Sequence, residues 1–207
     1  MLEMDGYSSP ESSEKPIIGK EIVAFIGLEG SGKSTVAKKL AEVAGKPRIS
    51  TGDIFRKLAA EDTTEIGDEC RRVMETHAYV DPDMFLRILG AGMQDAALSD
   101  GFILDGGFRT DKETVEFWDM LKAVDREMPV TIIQLRVPVW QAADRLVNGI
   151  KRFDDNIDAV VERMGHYYED VGKRINFLKE QPECRLIRVD ARGSMEETLS
   201  KVVEALV

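Results

Sequence analysis

The stretch EIVAFIGLEGSGKSTVAKKLAEVAG, residues 21–45, decides the fold. The β-branched and aromatic content of its first seven residues, EIVAFIG, predicts a buried strand. They run into GLEGSGKS, Gly27 to Ser34, which fits G-x-x-x-x-G-K-[ST]. STVAKKLAEVAG then reads as a helix ending at Gly45. Strand, glycine-rich turn and helix in this order form a phosphate cradle. Its span Glu29, Gly30, Ser31, Gly32, Lys33, Ser34 and Thr35 is the candidate ATP-binding loop. The glycines let backbone N–H groups turn inward, Lys33 reaches the β- and γ-phosphates, and the Ser34 hydroxyl is placed for Mg²⁺. The helix start adds its partial positive charge. A dinucleotide site is poorly supported, because the spacing G-x-G-x-x-G is absent.

Working outward, short apolar runs alternate with longer helical periods. Further strands are expected at RIST (48–51), GFILD (101–105), TIIQLRV (131–137) and RLIRVD (185–190). They are near-continuous apolar runs, as parallel strands covered on both faces require. Helices are expected at about 53–76, 82–98, 111–125, 139–148, 155–180 and 195–206. In the long one, Val160, Met164, Tyr167, Val171, Ile175 and Leu178 share one face. The expectation is an α/β doubly wound domain with a five-stranded parallel sheet and helices on both faces.

The chain has 207 residues and a net charge of -10. One domain of ordinary core size fits that length. An acidic chain is poorly suited to nucleic acid or an anionic membrane, so neither is expected as a partner, and any anion site must be a local cluster of cations. Cys70 and Cys184 are lone thiols, and His77 and His166 form no metal-ligating pair, so zinc is not expected and a reducing, cytoplasmic setting is. No apolar run is long enough to span a bilayer. Residues 1–18, rich in Ser, Pro, Glu and Gly, read as a flexible tail or a regulatory or targeting arm.

Three further stretches bear on the second substrate: ISTGDIFR (49–56), GFILDGGFRT (101–110) and DRLVNGIKRFDDN (144–156). In order and spacing they resemble the adenylate kinases and their nucleoside monophosphate kinase relatives, over about residues 20–207. RFDDNIDAVVERMGHYYEDVGKRINFL is similar to the short-lid type. Phosphoryl transfer between two nucleotides gathers negative charge, and arginine meets it best, being always charged and able to chelate two oxygens. The resemblance implies that Arg56 and Arg109 hold the monophosphate, and that Arg145, Arg152 and Arg163 act on the donor phosphates and the transferring group. Arg152 and Arg163 also fall to the acceptor site. The two are eleven residues apart, which is almost whole turns, so they share a face if the helix starts early. If Asp154 or Asp155 caps the helix, Arg152 lies on the lid hinge. The resemblance further implies that Asp105 holds Mg²⁺ through water. It assigns Thr51, Gly52, Val80, Gly106 and Glu113 to the acceptor, and Gly193 to the donor adenine. An acceptor-binding segment is implied at about 52–80 and a lid at about 146–153; a monomer is expected.

The sequence departs from the family in four places. Glu29 and Ser34 give the loop a thymidylate-kinase-like look, where adenylate kinases usually place Pro and Gly. DGGFR, Asp105 to Arg109, replaces DGFPR; it keeps the Asp-to-Arg spacing but loses the Pro that fixes the backbone path. Phe108 is then a candidate to replace the lost aromatic packing by the acceptor base. The polar amide that reads adenine becomes Glu113. The lid is clipped, with Gly149 where a second arginine falls and Lys151 as its candidate substitute. A carboxylate only accepts hydrogen bonds, so Glu113 leans towards guanine's two donors; alternatively it points to solvent from a first helical turn. The expected activity is transfer from ATP·Mg²⁺ to a nucleoside monophosphate, AMP first. The alternatives are GMP, UMP/CMP or dTMP as acceptor, or a nucleotide-binding sensor or assembly protein with weak transferase activity. Trp118, Trp140 and both histidines read as packing or surface residues.

Overall fold

A computed structural model describes residues 18–76, 80–148 and 157–207; the side chains of residues 148, 157–160, 162 and 163 lie outside that description. The strands are β1 (Ile22–Gly27), β2 (Arg48–Ser50), β3 (Phe102–Asp105), β4 (Val130–Arg136) and β5 (Cys184–Asp190). They form one sheet of order β2-β3-β1-β4-β5, and every pairing is parallel. The described helices are α1 (Lys33–Ala44), α2 (Thr51–Glu61), α3 (Glu65–Thr76), α4 (Pro82–Gly92), α5 (Asp111–Ala123), α6 (Val139–Asn148), α7 (Ile157–Glu180) and α8 (Met195–Leu206).

The apolar runs of the central strands β1, β3 and β4 have the reason expected of them, whereas edge strand β5 is mostly half-buried, with Arg185 and Arg188 exposed. On β1, Ile22, Ala24 and Ile26 join a core with Phe85, Phe117 and Leu178. Val23 and Phe25 point the other way, to Val36 and Leu40 of α1 and Val202 of α8. The side-chain period of two therefore buries both faces of the strand. Met164, Ile175 and Leu178 of α7 are buried, with Tyr167 and Val171 packed beside the core; the Val160 side chain lies outside the described residues. Ile18, expected in the tail, is buried in the core of α1 and α8.

Three boundaries differ from expectation. The helix expected over 53–76 is two helices, α2 and α3. Asp62 Oδ1 accepts from both the backbone N–H (2.7 Å) and the hydroxyl (2.6 Å) of Thr64, which closes an Asx turn between them. Gly67, in the first turn of α3, packs on this break: a Cβ there would lie 2.0 Å from the Asp62 carbonyl oxygen. The helix expected over 82–98 stops at Gly92, and a separate 3₁₀ turn, Ala96–Leu98, starts under an Asp95 cap. Strand β2 gives up Thr51 to α2, because Ser50 caps that helix by accepting the Asp53 N–H at 3.2 Å.

β1 lies between β3 and β4, and the connections leave its two sides in opposite directions. Such a switch point opens a crevice beyond the carboxyl ends of the strands. The phosphate loop after β1, Asp105 at the end of β3 and the start of α2 after β2 all meet there.

Candidate active site

The phosphate loop leaves β1 through Gly27 and enters α1 at Lys33. Gly30 has φ 76°, and a Cβ there would lie 2.3 Å from the Ala142 carbonyl oxygen of α6. Only glycine lets the loop turn this close to that helix. Lys33 Nζ donates to the carbonyls of Gly27 (2.7 Å) and Leu28 (3.0 Å), so the amine is folded over the loop. The Ser31 hydroxyl is buried and has no hydrogen-bond partner among the described residues. A buried orphan hydroxyl in this turn fits an oxygen-rich ligand such as phosphate. Glu29 and Gly32 are partly buried, and Thr35 is exposed on the first turn of α1.

Asp105 is 5% exposed. Its Oδ1 accepts from the Ser34 hydroxyl at 2.9 Å, and its Oδ2 accepts from Arg48 Nη1 at 2.5 Å. Carboxylate and hydroxyl are the hard oxygen donors that Mg²⁺ takes, usually one or two from protein with phosphate and water completing the shell. The pair therefore fits the metal that the motif implies. Among the described residues no three His, Cys, Asp or Glu side chains cluster to cage a metal without such help.

The acceptor-assigned residues gather beside this pair. Thr51 Oγ1 reaches the Asp105 carbonyl at 3.4 Å. A Cβ on Gly106, at φ 106°, would meet Thr51 Oγ1 at 2.1 Å and Arg109 Nη2 at 3.5 Å, so glycine is required where the three converge. The Arg56 guanidinium lies against Gly52, 3.3 Å from where a Cβ would stand, and pairs with Asp53 at 2.5 Å. The hydrogen bonds from Arg56 and Ser50 and the charges of Arg56 and Arg48 outweigh partial burial and hold the Asp53 carboxyl below its usual range. Val80 is buried in the core beneath these helices.

Glu113 corrects the solvent-facing alternative: it is 2% exposed. Thr110 caps α5 by accepting the Glu113 N–H at 3.1 Å, and Glu113 Oε2 accepts the Arg109 N–H at 2.9 Å. Burial pushes the Glu113 carboxyl up, against the opposing pull of Arg109 and Arg174. Phe108 also differs from the part expected of it. At φ 55° and 2% exposed, it turns into the core and packs at a tilt against Phe117, 4.7 Å between ring centres.

On the donor side, Arg145 Nη2 donates to the carbonyls of Ala191 and Gly193, each at 2.9 Å, which ties α6 to the loop before α8. Arg152 and Lys151 lie outside the described residues, as does the lid beyond residue 148. Arg163 belongs to α7, but its side chain is not among those described.

Of the remaining candidates, His77 lies outside the described residues, and the others stay outside the site. Cys70 and Cys184 are free thiols, and burial pushes Cys184 up to about 11, so neither is poised as a thiolate. His166 is exposed beside Glu169, Trp118 packs against Phe117 and Phe177, and Trp140 is 72% exposed. No described helix is long and apolar enough to cross a membrane.

Two arginines escaped the sequence reading. Arg48 opens β2 and joins Asp105 to Asp53. Arg174 is 2% exposed on α7 and donates to the carbonyls of Phe108 and, at 3.2 Å, Tyr167. Each carried a legible signal. A cation in a strand of a buried parallel sheet needs a carboxylate, and Arg174 falls on the apolar face between Val171 and Leu178.

Comparison with known proteins agrees with this geometry. The family model described as adenylate kinase matches residues 25–183. The chain is 30% identical over 184 residues to the adenylate kinases of Mycobacterium ulcerans and Mycobacterium leprae, and 31% to that of Mycobacterium bovis. Each alignment covers 89% of this chain and 98% of the relative. A match across most of the domain, reaching nearly end to end of these relatives, shows that this chain belongs to the adenylate kinase family and is a phosphotransferase of the nucleoside monophosphate kinase class.

Proposed function

We propose that the protein transfers the γ-phosphoryl group of ATP·Mg²⁺ to AMP, giving two ADP, as a cytoplasmic monomer. The observation that carries the reading is the Ser34–Asp105 pair set against Thr51, Gly106 and Arg109 within one crevice. A donor-phosphate loop and an acceptor cluster sharing one strand end is what in-line transfer between two nucleotides needs.

In this reading the orphan Ser31 hydroxyl and the inward N–H groups of residues 29–35 receive the donor phosphates. Lys33 leaves the Gly27 and Leu28 carbonyls for a phosphate oxygen. Ser34 and Asp105 hold the metal, Asp105 through water; when bound, Mg²⁺ neutralises charge on the phosphate oxygens. Arg56 and Arg109 take the acceptor phosphate. Arg145, already on the Gly193 loop, serves the donor, and Arg152 and Arg163 close on the transferring group. None of these steps requires a general base, since the chemistry is positioning and electrostatics.

AMP rather than GMP is favoured because Glu113 is buried and already spends one oxygen on the Arg109 backbone. That weakens the case for a carboxylate presented to guanine. The test is a coupled assay of ADP formation with AMP, GMP, UMP, CMP and dTMP. AMP should give the highest kcat/KM. Faster turnover of another monophosphate would reassign the acceptor, and no turnover with any would leave a nucleotide-binding protein.

A further inference from the structure

An unbroken chain of charge-assisted contacts crosses the crevice. Ser34 donates to Asp105, Arg48 bridges Asp105 (2.5 Å) and Asp53 (3.0 Å), and Asp53 holds Arg56 (2.5 Å). One end is the proposed metal carboxylate; the other is a proposed acceptor-phosphate arginine. We propose that Arg48 is a positioning residue that couples the two substrates: it holds Asp105 away from the metal until an acceptor phosphate binds.

The sign follows from partner exchange. Asp105 is buried and its two oxygens are taken, one by a hydroxyl and one by a guanidinium. The single guanidinium nitrogen that Arg48 places on Oδ2 competes directly with Mg²⁺ for that oxygen and for its water shell. Arg48 is itself shared between two carboxylates. At the far end Asp53 and Arg56 are about half exposed, so that link exchanges readily. When an acceptor phosphate takes Arg56, Asp53 keeps Arg48 as its cation. Asp53 then draws Arg48 towards α2, and Asp105 is released to the metal. Binding of acceptor and of metal therefore favour each other, and the coupling is reciprocal.

Two substitutions separate the parts. Arg48→Gln frees Asp105 permanently, so metal affinity should be high and indifferent to the acceptor. Asp53→Asn cuts the wire but leaves Arg48 on Asp105, so affinity should be low and equally indifferent. The probe is Mn²⁺, followed by electron paramagnetic resonance. It is titrated into protein saturated with an imido analogue of ATP, with and without the monophosphate that supports fastest ADP formation. Wild-type protein should bind Mn²⁺ about fivefold or more tightly with the acceptor present, the low end of ordinary coupling. Both variants should give a ratio near one, from opposite baselines. A wild-type ratio near one, or the wild-type ratio surviving in either variant, overturns the coupling. The inference rests on the kinase reading, but metal affinity is read without turnover. Absence of ADP formation in wild type defeats that reading, whereas ADP formation with an uncoupled metal site defeats only the part given to Arg48.

Discussion

Glu113 accepts the backbone N–H of Arg109 at 2.9 Å from a position that is 2% exposed. The first turn of α5 thus reaches back past its own cap, Thr110, and fixes the backbone of Arg109, proposed above to take the acceptor phosphate. Arg174 holds the neighbouring Phe108 carbonyl from α7. The DGGFR loop has no proline to fix its backbone path, and these two buried side chains hold it instead.

A carboxylate occupied in this way is a brace more than a reader of bases. Glu113→Gln keeps an acceptor oxygen for the Arg109 N–H. The AMP-to-GMP ratio of kcat/KM should stay within about twofold. Glu113→Ala removes the brace, and kcat/KM for the acceptor should fall about tenfold, the size of one lost hydrogen bond in a positioned site. A rise of about tenfold in AMP preference on Glu113→Gln would make the carboxylate a base reader.

The same burial gives a pH signature. Burial raises the Glu113 carboxyl, and the charges of Arg109 and Arg174 only partly offset it. A group whose folded pKa exceeds its unfolded value of about 4.3 binds its proton more tightly when folded. Its contribution to stability is therefore fully present below the unfolded value and is lost as pH rises through the raised one. Glu113→Gln removes that loss. Melting temperatures of the two proteins from pH 4 to pH 8 should diverge in favour of the variant as pH rises; parallel curves would mean that the carboxyl titrates as in the unfolded chain.

The sheet was legible in the sequence because a parallel strand buried on both faces must be an apolar run, and EIVAFIG is one. The phosphate loop was legible because its glycines, Lys33 and Ser34 are adjacent in the chain. The break at Asp62 was not, since it depends on its carboxylate accepting from Thr64 and on the close approach of Gly67 to the Asp62 carbonyl, which residue spacing does not show. Arg48 and Arg174 could be flagged as cations in apolar settings, but what they hold could not. Their partners, Asp105 and the Phe108 carbonyl, lie 57 and 66 residues away, and no local spacing announces them.

Arg174 offers a direct test of the brace. Arg174→Leu leaves Glu113 buried with less compensating charge and two carbonyls without a donor. A loss of about 3 kcal/mol in urea unfolding is expected, the ordinary cost of removing one partner of a buried charged group. The double substitution Glu113→Gln/Arg174→Leu should be clearly more stable than the sum of the two single effects gives, because the stranded charge is gone. Strict additivity would mean that the two side chains do not act on each other.

Lys33 tests the transfer chemistry itself. Its amine rests on two backbone carbonyls of its own loop, at 2.7 and 3.0 Å, and is only partly buried. Those are neutral acceptors, so a phosphate dianion at the same loop competes for the amine with a full charge at closer to twice the bond strength. Lys33→Ala should leave the fold intact, because the core of α1 is made by Val36, Ala37 and Leu40 and not by this residue. Melting temperature should barely move. Turnover should fall a hundredfold or more, the scale of one lost contact to transferring charge, about 3 kcal/mol. Lys33→Arg keeps the charge but cannot place a compact ammonium on the same oxygens, so it should recover little. Near-normal kcat in Lys33→Ala, with ADP formation intact, would show that phosphoryl transfer here does not run through the loop that decides the fold.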